Sequence, residues 1–210
     1  MNCKNIDYTL YLVTDSSLCP PDKLPQAVEK AIQGGVTMVQ LREKNISTLD
    51  FYHIAHRVKA VTDQYQIPLL INDRIDIALA VNADGVHIGQ SDMPADTARR
   101  LIGPDKLLGV SANTVETALK AQADGADYIG FGAVFPTDTK KDASTRGLEA
   151  YWQVKNTVSL PMIAIGGIHL DNVHRLNGAD GIAIISAIMG QPNETEAARN
   201  LLYRFRGDKS

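Results

Sequence analysis

Arg42 and Lys44 stand two residues apart, the spacing that puts two side chains on one face of an extended strand. Arginine offers a planar fork to two phosphate oxygens and lysine a movable point charge, so the two together suit a diphosphate. Taken alone, the Arg-Glu-Lys run reads as solvated charge at a strand end. Asp73 and Asp92 form a second pair. Each alone reads as a helix N-cap, Asp73 just before a helical pattern that starts at Ile75 and Asp92 two residues before Pro94. Together they offer the one or two carboxylates by which Mg²⁺ is held beside a substrate diphosphate. Gly166-Gly167 suits either a turn with positive φ or close approach of backbone N–H groups to a phosphate.

These groups act together only if the fold gathers them. The chain alternates short β-branched runs with helical patterns. The strand candidates are Leu10–Val13, Met38–Leu41, Leu69–Ile71, Gly85–Ile88, Leu107–Val110, Tyr128–Gly132, Met162–Ile165 and Gly181–Ile185. The helical segments are Leu24–Gln33, Leu49–Gln64, Ile75–Val81, Ala95–Ile102, Val115–Ala123, Glu149–Thr157, Leu170–Leu176 and Glu194–Phe205. The strands are apolar at nearly every position, as strands buried on both faces are. About 26 residues per unit is close to the minimum for a βα pair. Residues 34–40, 83–89, 125–130 and 178–183 are degenerate copies of one phrase, and Gly34-Gly35, Gly125 and Gly178 sit where left-handed helix C-caps belong. No Pro/Gly/Ser linker divides the chain. The pattern predicts one domain over residues 1–210, an α/β protein with a (β/α)8 TIM-barrel fold. A doubly wound open sheet would carry a glycine-rich loop after its first strand, and Val13-Thr14-Asp15-Ser16-Ser17 has no glycine.

In a barrel the chemistry lies at the C-terminal ends of the strands. Those ends carry Gln40, Arg42 and Lys44, then Asn72-Asp73-Arg74, Gly89-Gln90-Ser91-Asp92, Ser111, the segment from Phe135, Gly166-Gly167, and Ile185-Ser186. Only the first strand end lacks a group for phosphate or a hard metal. The position of Gly166-Gly167 after strand seven favours the phosphate reading, with Ser186 after strand eight completing the site. The long polar segment Phe135 to Arg146 reads as a lid that swings Lys140 in as a further diphosphate ligand. His53 and His56 belong on the outer helical ring, and His87 in a structural hydrogen bond or just behind the site.

In combination the motifs are specific. Tyr11-Leu12-Val13-Thr14-Asp15, Gln40-Leu41-Arg42-Glu43-Lys44, Ile71-Asn72-Asp73-Arg74, Gly85 to Asp92, Pro136-Thr137-Asp138-Thr139-Lys140, Ile165-Gly166-Gly167-Ile168 and Ile185-Ser186-Ala187-Ile188 resemble, in order, the motif set of the thiamine-phosphate synthases. The resemblance covers nearly the whole chain. It implies a transferase that joins hydroxymethylpyrimidine diphosphate to hydroxyethylthiazole phosphate with Mg²⁺. It implies further that Gln40, Leu41, Arg42, Glu43, Lys44 and Asn72 hold the pyrimidine diphosphate and that Asp73 and Asp92 ligate the metal. Ser111 and Lys140 would contact the diphosphate, while Thr137, Asp138, Thr139, Gly166, Gly167, Ile185 and Ser186 would take the thiazole phosphate. Arg42, Lys44, Lys140 and Ser111 carry the catalytic expectation. Two alternatives stand beside it: an isomerase like the thiazole tautomerases, and a barrel that binds phosphate without catalysis.

Composition bounds the remaining classes. The 210 residues carry 21 basic and 24 acidic side chains, net −3, with 44% hydrophobic and 21% charged residues, unlike a disordered or a nucleic-acid-coating chain. The longest strongly apolar stretch, Ile182 to Met189, falls far short of the ~20 residues of a membrane span. Cys3 and Cys19 fit no disulfide framework or metal spacing. With no secretion signal at the start, the expectation is a cytoplasmic enzyme that meets small molecules, not nucleic acid or membrane.

Overall fold

The computed structural model describes residues 6–137 and 146–207. Eight parallel strands pair in chain order and close on themselves: β1 (Leu10–Val13), β2 (Met38–Leu41), β3 (Leu69–Asn72), β4 (Gly85–Ile88), β5 (Leu107–Ser111), β6 (Tyr128–Gly132), β7 (Met162–Ile165) and β8 (Gly181–Ile184). Around them run α1 (Leu24–Gln33), α2 (Thr48–Gln64), α3 (Ile75–Ala80), α4 (Ala95–Ile102), α5 (Val115–Ala123), α6 (Gly147–Lys155), α7 (Ser186–Met189) and α8 (Glu194–Arg206). The predicted (β/α)8 barrel is the observed fold. Among the described residues no helix is long and apolar enough to cross a membrane.

Alternation along each strand divides the core in two. Tyr11, Val13, Met38, Leu70, Leu107, Tyr128, Ile163 and Ala183 fill the barrel interior. Their neighbours, such as Leu10, Leu12, Val39, Leu41 and Ile71, pack outward against the helices. Helix α1 shows how a helix meets that wall: Leu24, Ala27, Val28, Ala31 and Ile32 are buried at helical spacing. Ser47, Thr114 and Asn193 cap α2, α5 and α8 with side-chain oxygens.

The repeated phrase has a structural meaning. Before each even-numbered strand, one side chain accepts the N–H of a residue at the start of the preceding strand. Thr37 takes Leu10, Asp84 takes Leu69, Asp127 takes Leu108 and Asp180 takes Met162, at 2.7–3.0 Å. In the first three, the backbone N–H of the accepting residue returns a bond to the same partner's carbonyl. The three aspartates also meet a cation from the helix that leads into the pinned strand, Lys59, Arg99 and Lys155.

Some local expectations need correction. Gly35, Gly125 and Gly178 have the expected positive φ, but Gly34 is right-handed at φ −84°; it is a glycine because a Cβ there would lie 2.3 Å from the Thr195 carbonyl on α8. The helix predicted over Leu170–Leu176 is a single 3₁₀ turn, Val173–Leu176. Asn172 accepts the His169 N–H and donates to the Gly167 carbonyl, bonds that compete with a helical start. Strand β8 ends one residue early, and the short helix α7 that follows it was not foreseen.

In the Asp127 clamp the cation is itself held in place, since Arg99 also donates to the carbonyls of Gly103, Lys106 and Gly125. Asp127→Ala leaves the Leu108 N–H without its acceptor. The expected loss is about 1–3 kcal/mol in urea unfolding, with far-UV circular dichroism unchanged; a midpoint equal to the parent's would refute the clamp.

Candidate active site

The strand register carries the polar inward positions to one end of the barrel. Gln40, Asn72, His87 and Ser111 all face the interior there, and Arg42 and Lys44 follow from the loop after β2. That loop is held from β1. Thr14, fully buried, accepts the Arg42 N–H at 2.9 Å and donates its own N–H to the Gln40 carbonyl. The first strand end therefore does serve the site, by positioning Arg42. Leu41 and Glu43, on the alternate face, turn away: Leu41 lies in the outer core, and Glu43 is buried with a hydrogen bond to Ser16.

Neither aspartate of the sequence-predicted pair caps a helix. The capping positions of α3 and α4 are Arg74 and Pro94, with no side-chain cap bond. Asp73 sits at φ +60°, strained for a residue other than glycine, and its carboxylate takes the Lys44 ammonium. Asp92 turns back to accept the Gly89 N–H at 2.7 Å. The two carboxylates lie within hydrogen-bonding reach of each other. Burial first and the adjoining Asp92 next push Asp73 above the ordinary carboxylate range, against the pull of Lys44. In Asp92, burial is outweighed by the bond to Asp73, the Gly89 N–H and the Lys44 charge, so it stays below that range. Two carboxylates drawn together need a proton or a cation between them.

Asn72 adds a second unmet requirement. It is 7% exposed, and its Nδ2 has no hydrogen-bond partner among the described residues. A buried amide N–H₂ left unpaired costs about 1–3 kcal/mol, which a ligand oxygen would relieve. It lines a cavity of about 500 Å³ with Gln40, Arg42, Lys44, Asp73 and Asp92.

A second cavity, about 830 Å³, opens beside the first and runs over the ends of β6, β7 and β8. Gly89, Ser111, Gly130, Ile165 and Ala183 line both. Gly166 and Gly167 lie on its wall at φ +99° and +66°. A Cβ on Gly167 would meet the Pro136 carbonyl at 2.3 Å, so the backbone approaches closely on the loop side as well. Ile185 is the capping position of α7 and Ser186 its first residue, so they open a short helix where they were expected to end a strand. Loops seven and eight with a short extra helix form the recurrent phosphate site of such barrels. Thr137 lines this cavity. Asp138, Thr139, Lys140 and most of the expected lid lie outside the described residues.

Below the two cavities runs a chain of buried side-chain hydrogen bonds. Gln40 Nε2 donates to the Tyr11 hydroxyl (2.7 Å), Tyr11 meets Tyr128 (2.9 Å), Tyr128 meets His87 Nδ1 (2.9 Å), and His87 Nε2 meets Ser111 Oγ (2.9 Å). His87 is thus both the structural histidine and the neighbour of a site residue. The two tyrosines were missed. Their signal was available: each is an inward tyrosine among aliphatic interior positions, and a buried phenol needs a partner.

A closed parallel barrel with cations, carboxylates and backbone turns gathered at the C-terminal strand ends is the arrangement suited to binding phosphorylated small molecules. The sequence profile described as thiamine monophosphate synthase matches residues 10–188. The thiamine-phosphate synthase of Clostridium tetani is 56% identical over 207 residues, covering 98% of this chain and 99% of its own. That of Methanobrevibacter smithii is 52% identical over 208 residues, with 98% and 99% covered. The solved thiamine phosphate pyrophosphorylase from Pyrococcus furiosus matches with a TM-score of 0.87 at 40% identity, over 96% of this chain and 98% of its own. The chain belongs to the thiamine monophosphate synthase family, and it is an enzyme, a transferase of thiamine biosynthesis.

Glu43 supplies a test of the electrostatics behind the site. Burial, above all, raises its pKa, the Ser16 bond opposes, and one carboxylate oxygen has no hydrogen-bond partner among the described residues. A carboxyl group whose folded pKa is raised favours folding less as pH rises through the carboxylate range. Glu43→Gln is therefore expected to raise the denaturation midpoint at pH 7, with the gain shrinking as pH falls through that range and Glu43 takes up its proton. A gain that grows toward acid would contradict the burial of a charged Glu43.

Proposed function

We propose that the protein, as a single barrel domain over residues 1–210, condenses 4-amino-5-hydroxymethyl-2-methylpyrimidine diphosphate with 4-methyl-5-(2-hydroxyethyl)thiazole phosphate to give thiamine phosphate and diphosphate. The observation that carries this reading is the pair of confluent cavities. One has the cations, the carboxylates and the unpaired Asn72 amide that a diphosphate with its cation requires. The other has the Gly166-Gly167 turn and the start of α7, suited to a monophosphate.

Asp73 and Asp92 fit Mg²⁺. They are two carboxylates already in contact beside the diphosphate cavity, and no cluster of three or more metal-binding side chains occurs among the described residues. Two protein carboxylates with phosphate oxygens and water completing the shell is the usual mode for this ion. When bound, Mg²⁺ offsets negative charge on the diphosphate.

In the reaction the C–O bond between the pyrimidine methylene and the diphosphate breaks, and the diphosphate leaves with the electron pair. The methylene becomes a resonance-stabilised cation, and the thiazole nitrogen lone pair closes the new C–N bond. Arg42, Lys44 and Lys140 stabilise the leaving charge. Gln40 and Asn72 orient the pyrimidine diphosphate, and Ser111 stands where the two cavities meet. Thr137, Asp138, Thr139, Gly166, Gly167, Ile185 and Ser186 hold the thiazole phosphate; Leu41 and Glu43 contribute backbone and packing to the diphosphate side. The nucleophile needs no deprotonation, so the site has no use for a general base. A tautomerase would have no role for the diphosphate cavity.

Both phosphorylated substrates with Mg²⁺ are expected to yield thiamine phosphate and inorganic diphosphate in equal amounts by chromatography. Asp92→Ala is expected to lower kcat roughly 10²-fold or more, the scale of losing one electrostatic stabiliser. Absence of both products from folded wild-type protein would overturn the assignment. An Asp92→Ala enzyme at full rate would overturn the metal role.

A further inference from the structure

The buried chain from Gln40 to Ser111 has a direction. An amide nitrogen only donates, so the Tyr11 hydroxyl accepts from Gln40 Nε2, and its own proton has the Tyr128 oxygen as its partner. Tyr128, accepting from Tyr11, donates its hydroxyl hydrogen bond to His87 Nδ1. His87 then carries its hydrogen on Nε2 and donates to Ser111 Oγ. Ser111, accepting from His87, has its hydroxyl proton left for the space where the two cavities meet.

We propose that Tyr11, Tyr128 and His87 are positioning residues that fix the His87 tautomer and so make Ser111 a hydrogen-bond donor to the departing diphosphate. The proposal rests on the transferase reading above and deepens it. At the other end, Gln40 spends an N–H on Tyr11, which orients its amide and leaves Oε1 as an acceptor for a substrate N–H. One relay thus sets the polarity of two separate contacts, an acceptor on one side of the diphosphate cavity and a donor on the other.

Three observations support a built device. Both phenols are fully buried, and burial holds each well above the ordinary tyrosine range, so each keeps the hydroxyl proton with which it donates. The backbone is shaped around the relay: a Cβ on Gly109 would lie 2.1 Å from Tyr128 Cζ and 2.5 Å from His87 Nδ1, and one on Gly130 would lie 3.0 Å from His87 Cε1. The relay also displaces aliphatic packing from the centre of a barrel otherwise filled by Val, Met, Leu and Ile. Buried polar groups there are tolerable only when paired in sequence.

Two measurements test it. Nitrogen NMR of ¹⁵N-histidine-labelled, substrate-free protein reads the tautomer directly, and His87 is identifiable as the one buried histidine of five. The expected signature is a pyrrole-type Nε2 and a pyridine-type Nδ1. A hydrogen on Nδ1, or on both nitrogens, overturns the proposal whatever the enzyme's turnover.

The second is a double-mutant cycle between Tyr128→Phe, which keeps the ring, and Ser111→Ala. Each single variant is expected to lower kcat about tenfold or more, with KM for the pyrimidine diphosphate changed less than about twofold, since the contact strengthens as charge develops on the leaving group. The double variant is expected to be no slower than Ser111→Ala, because Tyr128 reaches the departing diphosphate through Ser111 while the Gln40 end of the relay is held by Tyr11. Multiplying losses would mean that Tyr128 merely packs, and would overturn the proposal. If wild-type protein made no product, the transferase reading would fall, while the NMR result would still decide the polarity of the relay.

Discussion

Strand register is the constraint on which this site depends. Side chains alternate across each strand, so a slip of one residue would turn Gln40 and Asn72 to the helices and bring Leu41 and Ile71 inside. Parallel hydrogen bonding alone offers little to prevent that slip. The side-chain acceptors at Thr37, Asp84, Asp127 and Asp180 do, because each accepts an N–H at one fixed place on the strand before it. They lie at the end of the barrel opposite the site. The three aspartates also draw in the helix preceding that strand through Lys59, Arg99 or Lys155, so strand, helix and neighbouring strand are tied at one point. Ion pairs that keep part of their surface in water are individually weak. Their contribution here is geometric, by fixing which residues arrive at the far end.

The interior shows the same economy of placement. The neutral groups of the relay from Gln40 to Ser111 occupy the barrel centre, where each is paired with the next, and the full charges of Arg42, Lys44, Asp73 and Asp92 stand at the rim. Lys44 keeps 48% of its side chain exposed, and Asp73 19%. Moving those charges one layer down would add a large desolvation cost with no solvent to offset it. The hydroxyl of Ser111 lies on the boundary, bonded to the neutral relay below and open to both cavities above.

Most of the architecture was legible in the sequence because nearly every strand is apolar on both faces and every unit is short. Six of the eight predicted strands begin and end within the run that was read, and Asn72 and Ser111 extend the other two by a residue. The Asp-Gly and Ala-Asp repeats were visible, but their clamp role was not, since it joins residues 15 to 27 positions apart in sequence. The charged site residues announced themselves by type and by position after strands. What stayed hidden were contacts decided by three-dimensional neighbours: Thr14 under Arg42, Asn172 undoing a helix, and tyrosines 117 residues apart that touch through their hydroxyls. Local preference was also misleading for Asp73 and Asp92. Both read as caps of the helices that follow, yet the caps fall on Arg74 and Pro94, and each aspartate turns to the other and to the groups around the diphosphate cavity.

That last reversal bears on why the site holds its shape. An aspartate used as an N-cap would contribute up to about 2 kcal/mol to a helix. Here α3 and α4 begin without side-chain caps, and Asp73 adopts a left-handed backbone as well. Each feature costs local stability, and both place carboxylates beside Lys44. Neighbouring burial offsets the cost: Ile75, Ile77 and Ala78 anchor α3, and Ala95, Ala98 and Ile102 anchor α4, all against the barrel wall. The helices are therefore held by packing rather than by their ends, which leaves the loops before them at liberty to serve the cavity. Strained, uncapped backbone at the rim over a well-packed wall is the arrangement expected where groups are fixed for a ligand and not for the fold.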